Sequence, residues 1–224
     1  MKKKEYEGED VSDINRYSRR AVLGEFEKLK LPKDSRILDL GCGKGSFSLK
    51  LRKMGYTNLF AADMSSDNVL PKDIHFKKAD FHERLPFANN EFDMVFSLEV
   101  IEHLENPWRF IEEIHRIVKP KGYAILTTPN PDNLTSKVLF MLGGRFNHFG
   151  KNLSYEFNEP KLRKDKHRTP IFHFFFQEMI YKKFKLISYV ANGVQPLVMG
   201  KELYLGVKSP LIGMNKVYCI QKLK

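Results

Sequence analysis

The chain has 224 residues, of which 42% are hydrophobic and 29% charged, with a formal net charge of +11. That suits one domain, with room for an insertion, and is enough to build a substantial core. No run is apolar and long enough to span a membrane, and two distant cysteines, Cys42 and Cys219, give neither metal-ligand spacing nor a disulfide framework.

In chain order, the charged start "MKKKEYEGED" has no apolar run after it, so no secretory signal is expected and the chain is expected in the cytoplasm. Val22, Leu23, Phe26 and Leu29 then recur at helical spacing until Pro32, with Ser12 or Asp13 as cap. This predicts a helical cap over residues 1–34. "RILDL" reads as a buried strand, and Phe47, Leu51 and Met54 as a helix ended by Gly55. "NLFAAD", "IHFKKA" and "FDMVFSL" are three further strands. Phe110, Ile111, Ile114, Ile117 and Val118 mark a helix ended by "KPKG", and "YAILTT" is a fifth strand ended by "PNP". "FKLISYVA" and "KVYCIQKL" form a final antiparallel pair at one edge of the sheet.

Strands alternating with helices at these lengths predict an α/β, Rossmann-like, doubly wound fold with a mostly parallel sheet. Residues 130–170 break the rhythm with aromatics, glycines, prolines and a basic run. The prediction is a single domain, 1–224, with an insertion at 130–170. Insertions of that length in a compact domain are usually functional or disordered, and the aromatics argue against disorder.

"LDLGCGKG" joins the first strand to its helix. Gly41, Gly43 and Gly45 permit a tight turn and a close backbone approach to a ligand. Asp63 ends the next strand, where nucleotide-binding sheets place an acid for ribose hydroxyls. Two cofactor classes fit: a dinucleotide or S-adenosylmethionine. Ser46 replaces the third glycine of the dinucleotide pattern, and Asp39 would repel a pyrophosphate. An acid at Asp39 suits a ligand with an ammonium group.

"LEVIEHLENP" raises a separate question. Glu99, Glu102 and His103 stand at offsets that share one helix face, a spacing metals use. The ten residues alone allow a metal site, an acid/base cluster or a helix start.

With "ILDLGCGKG", "AADMS", "ADFHERLPFANNEFDMVFSLEVIEHLENP" and "IVKPKGYAILTTPN" in place, the chain resembles the class I S-adenosylmethionine-dependent methyltransferases over about Arg36 to Thr128, and more loosely from Phe174 onward. "KPKG" stands where the family usually has "KPGG". The resemblance implies a seven-stranded sheet with an antiparallel edge hairpin, and S-adenosyl-L-methionine as cofactor with S-adenosylhomocysteine as product. It implies that Gly41, Cys42, Gly43 and Gly45 line the amino-acid part of the cofactor, with Asp39 near its ammonium. Asp63 would hold the ribose, Met64 and Phe81 would pack beside the adenine, and Asp80 would accept from its amine. Ser97 and Leu98 would pass beneath it.

Methyl transfer from a sulfonium is an in-line displacement that mainly demands positioning and exclusion of water. His103, just beyond the fourth strand, is the catalytic candidate; His167 and His173 bracket the end of the insertion. Lys161, Arg163, Lys164, Lys166 and Arg168 would attract a phosphate- or carboxylate-bearing acceptor, or form a solvated loop. Phe140, Phe146, Phe149 and Tyr155 would wall an acceptor pocket or anchor the insertion, and Tyr6 and Tyr17 would close over the cofactor. The resemblance narrows to ubiquinone-biosynthesis O-methyltransferases and small-RNA 2′-O-methyltransferases, in which an E-x-x-E-H pattern can hold a divalent metal. "EVIEH" matches it at Glu99, Glu102 and His103, but neither His167 nor His173 fits the related downstream pattern, so no metal is assigned.

The leading function is methyl transfer to oxygen or nitrogen of a small, anionic-leaning acceptor. An RNA-directed methyltransferase is second, favoured by charge but without a recognisable RNA-binding module. A cofactor-binding protein without catalysis, or a dinucleotide oxidoreductase, is third.

Overall fold

A computed structural model describes residues 16–65, 70–144, 146, 149, 167–194, 197–198, 201–202 and 205–224. Ser12, Asp13, Tyr6, Tyr155, Lys161, Arg163, Lys164 and Lys166 lie outside the described residues, as does the side chain of Tyr17.

The first strand, β1 (Ile37–Leu40), is buried along its whole length, as a central strand covered on both faces must be. It pairs in parallel with β2 (Leu59–Asp63) on one side and β4 (Phe92–Leu98) on the other. β3 (Ile74–Lys78) extends the sheet beyond β2, and β5 (Val118–Pro129) follows β4. β10 (Asn215–Lys222) then inserts between β5 and β6 (Phe184–Val194), antiparallel to both. These seven strands are the expected sheet, with the antiparallel pair at one end. A short eighth strand, β9 (Leu205–Lys208), adds to the edge beside β6. β7 (Leu197–Val198) and β8 (Lys201–Glu202) pair separately; the sequence reading missed all three short strands.

Alternation along the strands divides the core into two layers. Leu38, Val95, Leu126 and Tyr218 face α3 (Pro107–Ile117) and α5 (His173–Ile180). Ile37, Met94, Phe96 and Ile125 face α1 (Arg16–Lys28) and α2 (Ser46–Lys53). α3 shows why its sequence is helical. Asn106 caps it, its side chain accepting from the Arg109 amide at 3.0 Å, and Pro107 takes the first turn, where no N–H is required. Phe110, Ile111, Ile114 and Ile117 then form one fully buried stripe. Each such side chain stabilises the fold by about 1.5–3 kcal/mol of transfer free energy. The helix stops at Ile117, and β5 begins at once at Val118 and runs through "KPKG", so "YAILTT" is only its second half. Lys121, with φ of 64°, and a register shift opposite Phe92–Met94 accommodate the irregular start.

The helical cap is α1, which lies against β5, β6 and β10. Within the insertion, α4 (Leu134–Gly143) is capped by Asn133, whose side chain accepts from the Ser136 amide at 2.7 Å. The carboxyl ends of β1, β2, β3, β4 and β5 all open onto one edge of the sheet, where open α/β sheets place ligands.

Candidate functional site

The glycine loop leaves β1 by a left-handed turn. Gly41 has φ of 89°, and a Cβ there would stand 2.3 Å from the Val100 side chain. Only glycine lets the chain pass this close to the segment after β4. Gly43 has φ of 51° with open space beside it, and its amide donates to Asp63 Oδ2 at 2.8 Å. Asp63 thus binds the loop to the end of β2, while its Oδ1 accepts from the Ser65 amide at 2.9 Å. Each carboxylate oxygen retains a second lone pair, and the residue is half-exposed. Gly45 ends the loop as the residue before α2, also left-handed.

Asp39 is buried on β1, where Ser48 of α2 donates to its Oδ2 at 2.6 Å. Burial pushes its carboxyl up to about 6; the Ser48 hydrogen bond opposes that, and the nearby Asp63 charge adds to it. The Cys42 side chain is buried in the layer that faces α1 and α2, and burial followed by the Asp39 and Asp63 charges pushes its thiol far up. Met64 is exposed beyond β2. Asp80 is exposed beyond β3, with Oδ1 accepting from the His82 amide at 2.9 Å. Phe81 instead turns into the core, its ring 5.9 Å from that of Phe110. Ser97 is buried near the end of β4, its hydroxyl without a hydrogen-bond partner among the described residues, and Leu98 beside it is half-buried.

The segment after β4 is a 3-10 turn, Ile101–His103, not the start of a longer helix. Glu99 enters it with φ of 56°, a conformation that costs a non-glycine residue about 1–3 kcal/mol. Its amide is held by Thr127 of β5, donating to the side-chain hydroxyl at 2.9 Å and to the carbonyl at 3.2 Å. Glu102 is fully buried. Among the described residues neither of its carboxylate oxygens accepts a hydrogen bond of normal geometry, though the Thr128 hydroxyl is near enough to favour the charged form. Burial, then the neighbouring Glu99 charge, pushes the Glu102 carboxyl well above the usual carboxylate range.

The end of the insertion is fastened to this turn. The Arg168 and Thr169 amides both donate to the Glu102 carbonyl, at 2.8 and 3.0 Å, and the Thr169 hydroxyl donates to the Leu104 carbonyl at 2.8 Å. Arg168 also forms an ion pair with Glu105. These bonds bring His167 over His103, ring centroids 4.9 Å apart, with Phe149 behind His167 at 5.3 Å. One ligand atom each from Glu102, His103 and His167 lie within 4.8 Å of one another. Two imidazole nitrogens and a buried carboxylate are a donor set that suits a divalent transition metal.

His173 belongs elsewhere. Its amide donates to Asp132 at 2.8 Å, its ring stacks on Tyr189, and its Nδ1 is 3.3 Å from the Tyr218 hydroxyl. Burial and the Lys216 charge hold its pKa below the usual imidazole value. Sequence reasoning missed Val100, Thr127, Thr128 and the Asp132–Lys216 pair. Thr127 and Thr128 close "YAILTT" just before the turn "PNP", whereas no local pattern marks Val100, Asp132 or Lys216.

Residues 38–126 match the family model described as a methyltransferase domain. The ubiquinone biosynthesis O-methyltransferase of Ruegeria pomeroyi is 30% identical over 139 residues, 57% of this chain and 55% of that protein. That of Rickettsia typhi is 35% identical over 116 residues, 47% of each. The chain thus spans about half the length of the curated relatives it matches. Among solved structures, a S-adenosylmethionine-dependent methyltransferase of Methanosarcina mazei superposes with a TM-score of 0.61 at 20% identity, over 88% of this chain and 97% of that one. One of Thermotoga maritima gives 0.60 at 18% identity, over 93% and 91%. At these identities the structures show the fold.

Proposed function

We propose that this chain, which belongs to the class I S-adenosylmethionine-dependent methyltransferases and has S-adenosyl-L-methionine as its cofactor, transfers the methyl group to a hydroxyl oxygen of a small acceptor beside a divalent cation. The observation that carries the oxygen acceptor is the meeting of Glu102, His103 and His167 within 4.8 Å. The names of the curated relatives support oxygen over nitrogen.

The loop residues fit the cofactor. Gly43 has open space where a side chain would otherwise stand, and Asp63 keeps lone pairs on a half-exposed carboxylate. Asp63 takes the ribose hydroxyls and Asp80 the adenine amine, with Met64 covering the ring. Gly41, Gly43 and Gly45 bring the backbone against the amino-acid part. Asp39 supplies negative charge below the loop through Ser48 and not by touching the ammonium, since its carboxylate is buried. Cys42 and Phe81 shape the floor from the core side. Ser97 and Leu98 end β4 beneath the cofactor. S-adenosyl-L-methionine supplies an activated methyl carbon bound to a sulfonium.

Glu102 also fits a cation, being a buried carboxylate without a donor of normal geometry on either oxygen among the described residues. Glu102, His103 and His167 would hold the ion, so His103 would act as a ligand and not as the general base. Such an ion supplies Lewis acidity that eases loss of the hydroxyl proton. Phe149, behind His167, helps exclude water.

The test is methyl transfer from labelled cofactor to a panel of phenols, catechols and amines, before and after chelation. Phenol or catechol methylation is expected, lost with chelator and restored by magnesium, manganese or zinc. Amine methylation untouched by chelator would overturn the reading.

A further inference from the structure

The segment "HRTPIFH", from His167 to His173, is fastened at two places, and only one of them is the turn after β4. There the Arg168 and Thr169 amides share the Glu102 carbonyl, and the Thr169 hydroxyl donates to the Leu104 carbonyl. Two carbonyl oxygens define an axis about which a chain can still swing. The second fastening stops that swing. Lys216 of β10 donates to the Ile171 carbonyl at 3.1 Å, and Asp132, beyond β5, accepts from the His173 amide at 2.8 Å. Lys216 and Asp132 are themselves an ion pair. Between the two fastenings stands Pro170, whose ring fixes its own φ, so a movement at one end is passed to the other. His167 rides immediately ahead of Arg168, and its direction is set by this whole strap.

Lysine is a costly residue at this position of β10. The Lys216 side chain is fully buried, whereas that of Asp132 is 29% exposed. An apolar pair of similar volume often stabilises a core as well or better, so stability alone does not call for a lysine. What a methionine lacks is the donor for the Ile171 carbonyl. The place in the sheet matters too. Lys216 stands opposite Thr128 of β5 in the antiparallel register, and β5 and β10 each have a neighbouring strand on both sides. Side chains of such cross-strand partners leave the same face close together. The Thr128 hydroxyl is the one that approaches Glu102. The anchor of the strap and the support beside Glu102 are therefore one piece of sheet. On the reading of Glu102, His103 and His167 as a cation site, we propose that Lys216 and Asp132 are positioning residues that hold His167 over His103, acting through the strap and not as ligands. The third donor is then placed by the sheet, and the ion keeps three protein ligands whatever the rest of the insertion does.

The test compares the full chain with an Asp132→Leu, Lys216→Met double variant, which keeps the volume of the pair and lacks both bonds to the strap. Calorimetric titration with zinc or manganese should show affinity weakened by about tenfold or more in the variant, the range seen when residues behind metal ligands are removed. S-adenosylhomocysteine affinity should stay within about twofold, a split that a general loss of structure would not give. Amide exchange followed by NMR supplies a readout that needs no metal. The Arg168 and Thr169 amides should exchange about tenfold faster in the variant while the amides of β1 and β4 keep their protection. Lys216→Met alone is the second variant. It leaves the partly exposed Asp132 carboxylate within reach of water and still bonded to the His173 amide, so folding is preserved and only the Ile171 bond is lost. It should show the same two changes, smaller in size. Metal affinity and strap exchange equal to those of the parent chain in both variants would overturn the positioning role while leaving the cation site standing. If the parent chain binds neither metal, the cation reading fails by itself, and unchanged exchange of Arg168 and Thr169 would overturn the fastening as well.

Discussion

The rings of His103 and His167 meet edge to face with centroids 4.9 Å apart, one from the turn after β4 and the other from the far end of the insertion. The meeting depends on two backbone amides, Arg168 and Thr169, which share the Glu102 carbonyl. If the pair holds a cation with Glu102, His167→Ala should weaken binding of zinc or manganese at least tenfold, since even residues behind the ligands contribute about 10–100-fold. S-adenosylhomocysteine affinity should stay within twofold, because the proposed cofactor contacts come from the glycine loop, Asp63 and Asp80 and not from His167. Parallel calorimetric titrations with metal and with S-adenosylhomocysteine check this. Equal metal affinity in the variant would remove His167 from the ligand set.

Asp63 receives the Gly43 and Ser65 amides, and the proposed function assigns it the cofactor's ribose. A hydrogen bond to a charged acceptor contributes about 1.5–3 kcal/mol. Asp63→Ala should therefore lower S-adenosylhomocysteine affinity about 10–100-fold in calorimetry, with the glycine loop also loosened. Asp63→Asn should lose less, since the amide oxygen still accepts one of the two bonds.

The parallel half of the fold was legible because its signals are local and mutually consistent. "RILDL" followed by glycines, an acid ending β2 and the Phe110–Ile117 stripe each specify one element, and parallel pairing follows from their alternation. The glycine turn after β1 and the acid that ends β2 were legible for the same reason. What was not legible depends on contacts between distant segments. Phe81 read as a ring-packing residue and instead joins the core against Phe110. His167 and His173 looked equivalent, yet only the amides of Arg168 and Thr169, bonding to the Glu102 carbonyl, decide that His167 reaches the turn. The place of β10 inside the sheet is likewise a tertiary choice, since its own pattern fits an edge strand equally well.

Asp39 should link cofactor binding to pH. Its folded carboxyl is pushed up to about 6 from an ordinary 3.8. Between those values the folded state holds the proton and the unfolded state has lost it, so stability falls as pH rises through this window and is level above it. The shift corresponds to about 3 kcal/mol. Asp39→Asn should therefore be the more stable protein at pH 7, with the gap closing as pH drops from 6 to 4 in urea titrations. Binding of a cationic cofactor favours the charged form, so wild-type affinity for S-adenosyl-L-methionine should weaken from pH 7 to pH 5. That slope should be shallower in Asp39→Asn.

Gly41 and Val100 are locked by contact. An alanine Cβ at position 41 would lie 2.3 Å from Val100, on a backbone with φ of 89°. Gly41→Ala should destabilise the chain by about 2–4 kcal/mol through the combined clash and strain. Adding Val100→Ala should recover part of that loss, leaving the backbone strain. A double-mutant cycle from urea unfolding measures the coupling, and strict additivity would show that Val100 moves aside without cost.

Lys216 is fully buried, bonded to the Asp132 carboxylate and at 3.1 Å to the Ile171 carbonyl. Burial holds its pKa below the usual lysine value, while the hydrogen bond and charge of Asp132 oppose that shift. Asp132 also receives the His173 amide at 2.8 Å, so the pair fixes the start of α5 just after the segment that carries His167. Removing one partner strands a buried charge. Asp132→Leu should cost about 3–5 kcal/mol, whereas Asp132→Leu with Lys216→Met should recover most of it, because a buried ion pair replaced by apolar groups is often nearly neutral. A folded-state pKa below the unfolded one means a lysine stabilises less as pH falls through the gap. The stability of Asp132→Leu should thus rise as pH is raised from 7 toward 10, more steeply than that of the double variant. Urea unfolding across that range measures the slope. Parallel slopes in the two variants would show that Lys216 reaches solvent once Asp132 is gone.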